Sequence, residues 1–249
     1  MGQKISKMSK KVKVEELGRI NYEEAWAYQT QLFNACIDRK KRQREGEELE
    51  QFGHFLFCEH PHVYTLGRNG KEAHLLLDEA GLATHEASFV KINRGGDITY
   101  HGLGQIVGYP ILDLDCFFTD IGRYIRSIEE MVIRTLQDYG IKAGRIKGES
   151  GVWLDEDGPN ARKICAIGVH LSRWVTMHGF AFNINTDMSY FGHIIPCGIQ
   201  DKGVTSLAQE LGRPVAEEEV KSLLSRHFAD IFAAELDFSL APNLLQHEK

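Results

Sequence analysis

The alternation of apolar and polar positions divides this chain into short strands and a few helices. One segment stands out. Over residues 120–139, Ile121, Tyr124, Ile125, Ile128, Val132, Leu136 and Tyr139 recur every three or four positions, and Gly140 follows. That spacing predicts an amphipathic helix with one face on a core and a glycine stop. Residues 21–36 read as a second helix, opened by Asn21 with Glu24 three positions on, the pattern of a capping box. Residues 75–80 read as a short helical piece, and residues 206–211 and 215–236 as helices that pack on a sheet. Strand patterns cover residues 12–17, 54–58, 63–66, 88–93, 106–112, 151–154, 163–171 and 174–184, the last two joined tightly at Ser172–Arg173. Pro110 places its strand near a sheet edge or its own end, because proline cannot donate to a ladder. Strands before, between and after helices, without regular βαβ alternation, predict an α+β fold: a single domain with a mixed β-sheet flanked by helices. Residues 1–11 read as a frayed basic N-terminus, 12–240 as the folded domain and 241–249 as a tail.

Composition narrows the function classes. The chain has 249 residues, 43% hydrophobic and 26% charged, as expected of a globular protein. A net charge of −6 gives no reason to expect nucleic-acid binding. No apolar run is long enough to span a membrane. Gly2 and Ser6 fit the short N-myristoylation pattern, which chance meets easily. Five cysteines, at 36, 58, 116, 165 and 197, are odd in number and never spaced Cys-x-x-Cys. This argues against disulfides or structural zinc and for a reducing, cytoplasmic setting. His60 and His62 flank Pro61 in a turn, and two histidines without further ligands are weak evidence for a metal. The basic run at 39–44 reads as a solvated helix end rather than a docking patch.

The candidate chemistry gathers around Pro196-Cys197-Gly198. A lone cysteine is ordinarily a small buried hydrophobe. A proline before it and a glycine after it instead suggest a presented turn. A thiol of ordinary pKa is only about 3% thiolate at neutral pH, so a nucleophilic role needs a nearby cation. Lys163, opening a strand of small and apolar residues, is the candidate, although most lysines are merely solvated. Between residues 94 and 105 four glycines alternate with Arg94, Asp97, Thr99, Tyr100 and His101. The run fits neither phosphate-binding glycine motif. It does allow a backbone to close over a ligand.

Five ordered motifs carry a resemblance. They are Arg94-Gly95-Gly96-Asp97-Ile98-Thr99-Tyr100-His101-Gly102-x-Gly104-Gln105; Gly151-Val152-Trp153; Lys163-x-x-Ala166-Ile167-Gly168; His178-Gly179-x-Ala181-x-Asn183; and Pro196-Cys197-Gly198. In order and spacing the chain resembles the lipoyl(octanoyl) transferase family over residues 12–235. The resemblance implies the fold shared by biotin-protein and lipoate-protein ligases. It implies transfer of an octanoyl or lipoyl group from acyl carrier protein to a lysine of lipoyl domains, those of 2-oxoacid dehydrogenases and the glycine cleavage H protein, with no cofactor and no metal. Carried over, Cys197 is the acyl-thioester nucleophile and Lys163 lowers its pKa and moves the proton. Substrate contacts fall on Arg94, Gly95, Gly96, Asp97, Ile98, Thr99, Tyr100 and His101, on Ala166, Ile167 and Gly168, and on Gly179, Phe180 and Ala181; Asp97 receives no catalytic role. Leu103 stands where the family usually has proline, which alters loop stiffness and leaves the glycines intact.

The residues themselves agree with this chemistry. Thioester-to-thioester transfer followed by aminolysis needs no ATP, consistent with the missing phosphate loop. Burying seven carbons at ~0.8 kcal/mol each contributes at most about 5 kcal/mol, which favours medium chains over acetyl. Phe180, Ile167 and Tyr100 are the expected lining, and backbone N–H groups near Gly168 or Gly198 the expected oxyanion donors. Arg39–Arg44, or Arg145 with Lys147, could receive an acidic carrier. Two alternatives stand beside this reading: an ATP-dependent lipoate or biotin ligase on the same fold, and a non-catalytic carrier-binding module. A metal held by His193 and Cys197 lacks the further ligands it would need.

Overall fold

In a computed structural model of the chain, residues 10–50, 52–195 and 202–240 are described. The chain begins with β1 (Lys11–Arg19), α1 (Tyr22–Arg44), β2 (Gly53–Glu59) and β3 (Val63–Leu66). After a 3₁₀ turn at Glu72–His74 come α2 (Glu79–Thr84), β4 (Ser88–Lys91), β5 (Ile98–His101) and β6 (Gln105–Ile111). Next are α3 (Ile121–Asp138), β7 (Gly144–Ile146), β8 (Glu149–Leu154), β9 (Arg162–Ser172) and β10 (Val175–Asn183). A further 3₁₀ stretch, Met188–His193, precedes β11 (Gly203–Val204), α4 (Leu207–Leu211), α5 (Glu217–Phe232) and β12 (Glu235–Leu240).

The main sheet runs β12-β1-β2-β6-β10-β9-β8-β7, with β11 beside β9. β1 is parallel to both β2 and β12, the ladders from β2 through β7 are antiparallel, and β11 is parallel to β9. This is the expected mixed sheet. The parallel β1–β2 step needs a long crossover, which α1 supplies. A small sheet, β4-β3-β5, stands apart.

α3 forms as its periodicity requires. Asp120 accepts the Arg123 N–H at 2.8 Å, Tyr124, Ile128, Met131, Val132 and Leu136 are fully buried, and Gly140 closes the end at φ +74°. Its buried face and that of α5 share one core with Phe55, Phe57, Phe180 and Phe182 on the sheet. α1 covers the opposite face, over Leu56, Val107, Tyr109 and Ala181.

Three expectations need correction. α1 continues to Arg44, and Asn21 makes no side-chain cap bond. Residues 75–78 are not helical; the helical turns lie on either side, at Glu72–His74 and Glu79–Thr84. α5 stops at Phe232, where Ala233 turns left-handed at φ +50°, and Glu235–Leu240 becomes a strand along β1. Of the two places expected for Pro110, it takes the strand end: β6 stops at Ile111 and is flanked by β2 and β10. The structure accommodates it locally. Thr176 Oγ1 donates to the Pro110 carbonyl at 2.8 Å and accepts the Leu112 N–H at 2.9 Å. The β6–β10 ladder itself ends at Gly108–Phe180.

Candidate functional site

A cavity of about 440 Å³ opens over β9 and β10. Its size is ordinary for a small-molecule site. The glycine run forms one wall through Arg94, Gly95, Gly96, Asp97, Ile98, Thr99 and His101. Ala166, Ile167 and Gly168 on β9, and Gly179, Phe180 and Ala181 on β10, form the floor, and Lys163 stands on the wall. The structure thus brings together three segments that lie far apart in sequence.

Gly168 is what lets the glycine run come so close. The Gly95 N–H donates to the Val169 carbonyl at 2.9 Å. A Cβ on Gly168 would lie 2.9 Å from Arg94 Cδ and 3.0 Å from the Gly95 carbonyl oxygen. Arg94 is itself buried and donates from Nη2 to the Thr65 carbonyl at 2.7 Å and to Thr65 Oγ1 at 3.0 Å.

Tyr100 departs from the expectation that it lines the cavity. Alternation in β5 turns it into the small sheet, where it is fully buried, packs on Tyr64 and Tyr190, and donates its hydroxyl to His62 Nδ1 at 2.7 Å. Its neighbour His101 faces the cavity. Asp97 pairs with His74 Nδ1 at 2.5 Å and accepts the Ile98 N–H at 2.7 Å. The backbone of His74 in turn accepts the Ile195 N–H at 2.9 Å, so one residue joins the cavity wall to the segment entering Pro196.

A buried polar relay joins the motifs. His101 Nδ1–H donates to Gln105 Oε1 at 2.9 Å, and Gln105 Nε2 donates to Asn183 Oδ1 at 2.9 Å. Asn183 Nδ2 donates to the Thr205 carbonyl at 3.0 Å, and the Thr205 N–H donates to the Lys163 carbonyl at 3.0 Å. Burial, with His60 and Arg94 adding to it, holds the His101 pKa well below the usual imidazole range, so the ring is neutral and the relay carries no net charge. Gln105 and Asn183 stood in the sequence motifs without a role; this is the role the fold gives them. Trp153 likewise stood in a motif, Gly151-Val152-Trp153, without a role. It pairs with Lys163 across β8–β9 and lies with its ring centroid 4.6 Å from Nζ. An ammonium on an indole face is a favourable and fixed arrangement.

Cys197 lies outside the described residues, as does Gly198. Their flanks are described. Ile195 is held as above, and Lys202, Gly203 and Val204 all line the cavity, with Val204 paired to Lys163. The four described cysteines are buried. Burial raises the Cys36 thiol to about 11 and that of Cys116 to about 12, and pushes Cys58 and Cys165 up as well. None of the four is a thiolate near neutrality.

The metal and docking readings find little support. Nδ1 of His60 donates to the Ile20 carbonyl and Nε2 accepts the Tyr109 hydroxyl, both at 2.7 Å, and burial lowers its pKa to about 4. Among the described residues no cluster of three metal-ligating side chains exists. In the basic run, Lys40 is buried against Asp113 at 2.7 Å and Asp115 at 2.6 Å, Arg42 pairs with Glu47, and Arg39 lies over Phe52. Arg145 is held by Glu129 and Glu130. Among the described residues no helix is long and apolar enough to cross a membrane.

This mixed sheet with its flanking helices is the fold of the lipoate-protein ligases. A bipartite lipoate protein ligase from Thermoplasma acidophilum superposes with a TM-score of 0.65 at 16% identity, covering 96% of this chain and 91% of that one. LipL1 of P. falciparum in complex with lipoate gives 0.65 at 14% identity, covering 95% and 70%. The chain belongs to the family described as the lipoyl protein ligase A/B catalytic domain, which it matches over residues 21–229. Curated relatives named octanoyltransferase include those of Cytophaga hutchinsonii, 57% identical over 92% of this chain and 96% of theirs, and Christiangramia forsetii, 58% identical over 93% and 100%. The chain is therefore an acyl-transferring enzyme.

Proposed function

We propose that this enzyme moves an octanoyl group from acyl carrier protein to the lysine of a lipoyl domain through a Cys197 acyl-thioester. The observation that carries the reading is the lysine at the cavity wall. Lys163 stands where the chain re-enters, at Val204, a few residues after Cys197. The four other cysteines are disqualified by burial. The relatives' shared name supplies the acyl group.

The chemistry balances without a cofactor. The Cys197 thiolate attacks the donor carbonyl carbon, and the donor sulfur leaves with the electron pair and takes a proton. The acceptor lysine's amine then attacks the same carbon. An amide forms, the cysteine sulfur leaves, and the proton lost by nitrogen returns to the thiol–lysine pair. The ammonium of Lys163 stabilises the thiolate and moves the proton in both halves. The acyl chain lies along Ile167 and Phe180. The acceptors are lipoyl domains of 2-oxoacid dehydrogenases and the glycine cleavage H protein, and the reaction takes place in the cytoplasm.

Intact mass after mixing with octanoyl carrier, without ATP, tests this reading. One octanoyl adduct should appear, map to Cys197, and pass to added lipoyl domain. Cys197→Ala should take no adduct. An acylated lipoyl domain that forms only with ATP would replace this reading with that of a ligase.

A further inference from the structure

Lys163 does not stand on the cavity wall unaided. The β8–β9 ladder sets it opposite Trp153, and its Nζ lies over the indole, 4.6 Å from the ring centroid. The indole is buried, and close packing holds its face where it is. The lysine stem passes Gly151 on the way. A Cβ there would sit 3.3 Å from Lys163 Cε and 3.4 Å from Cδ, and the Gly151 backbone, φ +126°, is in a region that favours glycine. This part of β8 is fastened to α3. The Gly151 N–H donates to Glu129 Oε1 at 3.1 Å, while Glu129 Oε2 accepts from Arg145 Nε at 2.9 Å. Strand, stem and ring together hold one ammonium in one place.

A ring is a different kind of seat from a carboxylate. A carboxylate would hold the lysine as firmly, yet it would cancel the charge that a thiolate needs nearby. The indole face attracts a cation through its quadrupole and brings no opposite charge with it. It takes the ammonium from one side, so the N–H donors on the other side stay available. The attraction is stronger for the ammonium than for the neutral amine, so the ring favours the protonated lysine. It also removes rotamer freedom that a long side chain would otherwise lose at the moment of reaction.

Resting on the reading that Lys163 serves Cys197, we infer that Trp153 is a positioning residue for the acyl transfer: its ring face seats the Lys163 ammonium, charged and oriented, for the thiolate.

The test reads the rate at which Cys197 is alkylated by iodoacetamide at neutral pH, mapped by peptide mass, because the thiolate is the form that reacts. Fluorinated tryptophans placed at position 153 alone nearly keep the shape of the ring and drain the negative charge from its face. The rate should fall stepwise as fluorines are added, by about fivefold when the benzo ring is fully substituted, and octanoyl transfer from the carrier should fall with it. Trp153→Leu should lose as much, and Trp153→Phe, which keeps a face, should lose less. In Lys163→Ala there is no ammonium to seat, so the same fluorination should leave the rate where it is. A ring that merely supports the fold would act alike in both backgrounds. A fall of less than about twofold across the fluorine series overturns the inference, as does an equal fall in Lys163→Ala. The fluorine series decides the matter if Trp153→Leu does not fold. An alkylation rate that Lys163→Ala leaves unchanged would instead strike the pairing of Lys163 with Cys197 in the transfer reading, and the inference with it.

Discussion

Gly168→Ala isolates the closeness of the glycine run to the sheet. The added methyl carbon would sit 2.9 Å from Arg94 Cδ and 3.0 Å from the Gly95 carbonyl oxygen, both well inside ordinary contact. One neighbour is backbone and the other is the stem of a buried arginine tied to Thr65, so neither can swing away freely. The run must lift. Lifting it stretches the Gly95 N–H to Val169 carbonyl bond, a loss of about 1 kcal/mol, and overpacking adds about 1–3 kcal/mol. For a chain of this length, a net loss of about 2–4 kcal/mol lowers Tm by about 4–16 °C. Because the same run is the cavity wall, KM for the acyl donor should rise more than kcat falls. Gly192→Ala is the control, since nothing lies within 4 Å of the Cβ it would gain. Thermal denaturation and steady-state kinetics on both variants give the answer. Equal Tm and equal KM in the two would refute the claim that the run is held by contact with Gly168.

Lys40→Ala should destabilise the fold by about 3–5 kcal/mol, because it leaves Asp113 buried without its cation; urea unfolding would show it, and Lys40→Met with Asp113→Leu should recover part of the loss. Asn183→Leu removes both the acceptor of the Gln105 amide and the donor to the Thr205 carbonyl, so acyl-enzyme formation should slow with only a modest fall in Tm, measured by stopped-flow mass analysis. Lys163→Arg keeps a charge but cannot give up a proton, so it should not restore the rate lost in Lys163→Ala. Stability should fall with acid in the window set by the buried histidines. Burial lowers His60 to about 4 and His178 to about 3, while the unfolded rings titrate near 6.5. Between those values the unfolded chain binds more protons, so stability is full above 6.5 and declines below it, by about 2 kcal/mol per histidine on reaching pH 5. A urea midpoint unchanged from pH 7 to pH 5 would contradict the burial of these rings.

Patterns that depend on one element's own faces were legible in the chain. The stripe from Ile121 to Leu136 gave α3 with both ends, and the glycine interruptions at Gly168 and Gly179 marked the cavity floor. What stayed hidden depends on partners far away in sequence. The strand at Glu235–Leu240 continues a helical-looking stretch, and only the open side of β1 makes it extended. Tyr100 and His101 are adjacent letters, yet the pleat of β5 sends one into a core and the other to the cavity. His178 is left-handed, φ +60°, at the point where the β6–β10 register would set it opposite Pro110 of the other strand. The basic run at 39–44 looked like a surface because Asp113 and Asp115, which bury Lys40, lie some seventy positions later.

The strand that closes the main sheet has a consequence for anyone shortening the protein. β12 covers the flank of β1, whose Val12 and Val14 are wholly buried. The outward rim of β12 carries Glu235 and Asp237, charges that discourage a second molecule from adding on. A version ending after α5 would keep every group assigned to chemistry here, yet it would bare the backbone N–H and C=O groups of β1 that β12 now pairs, so association with other strands rather than inactivity is the fate to expect of such a truncation.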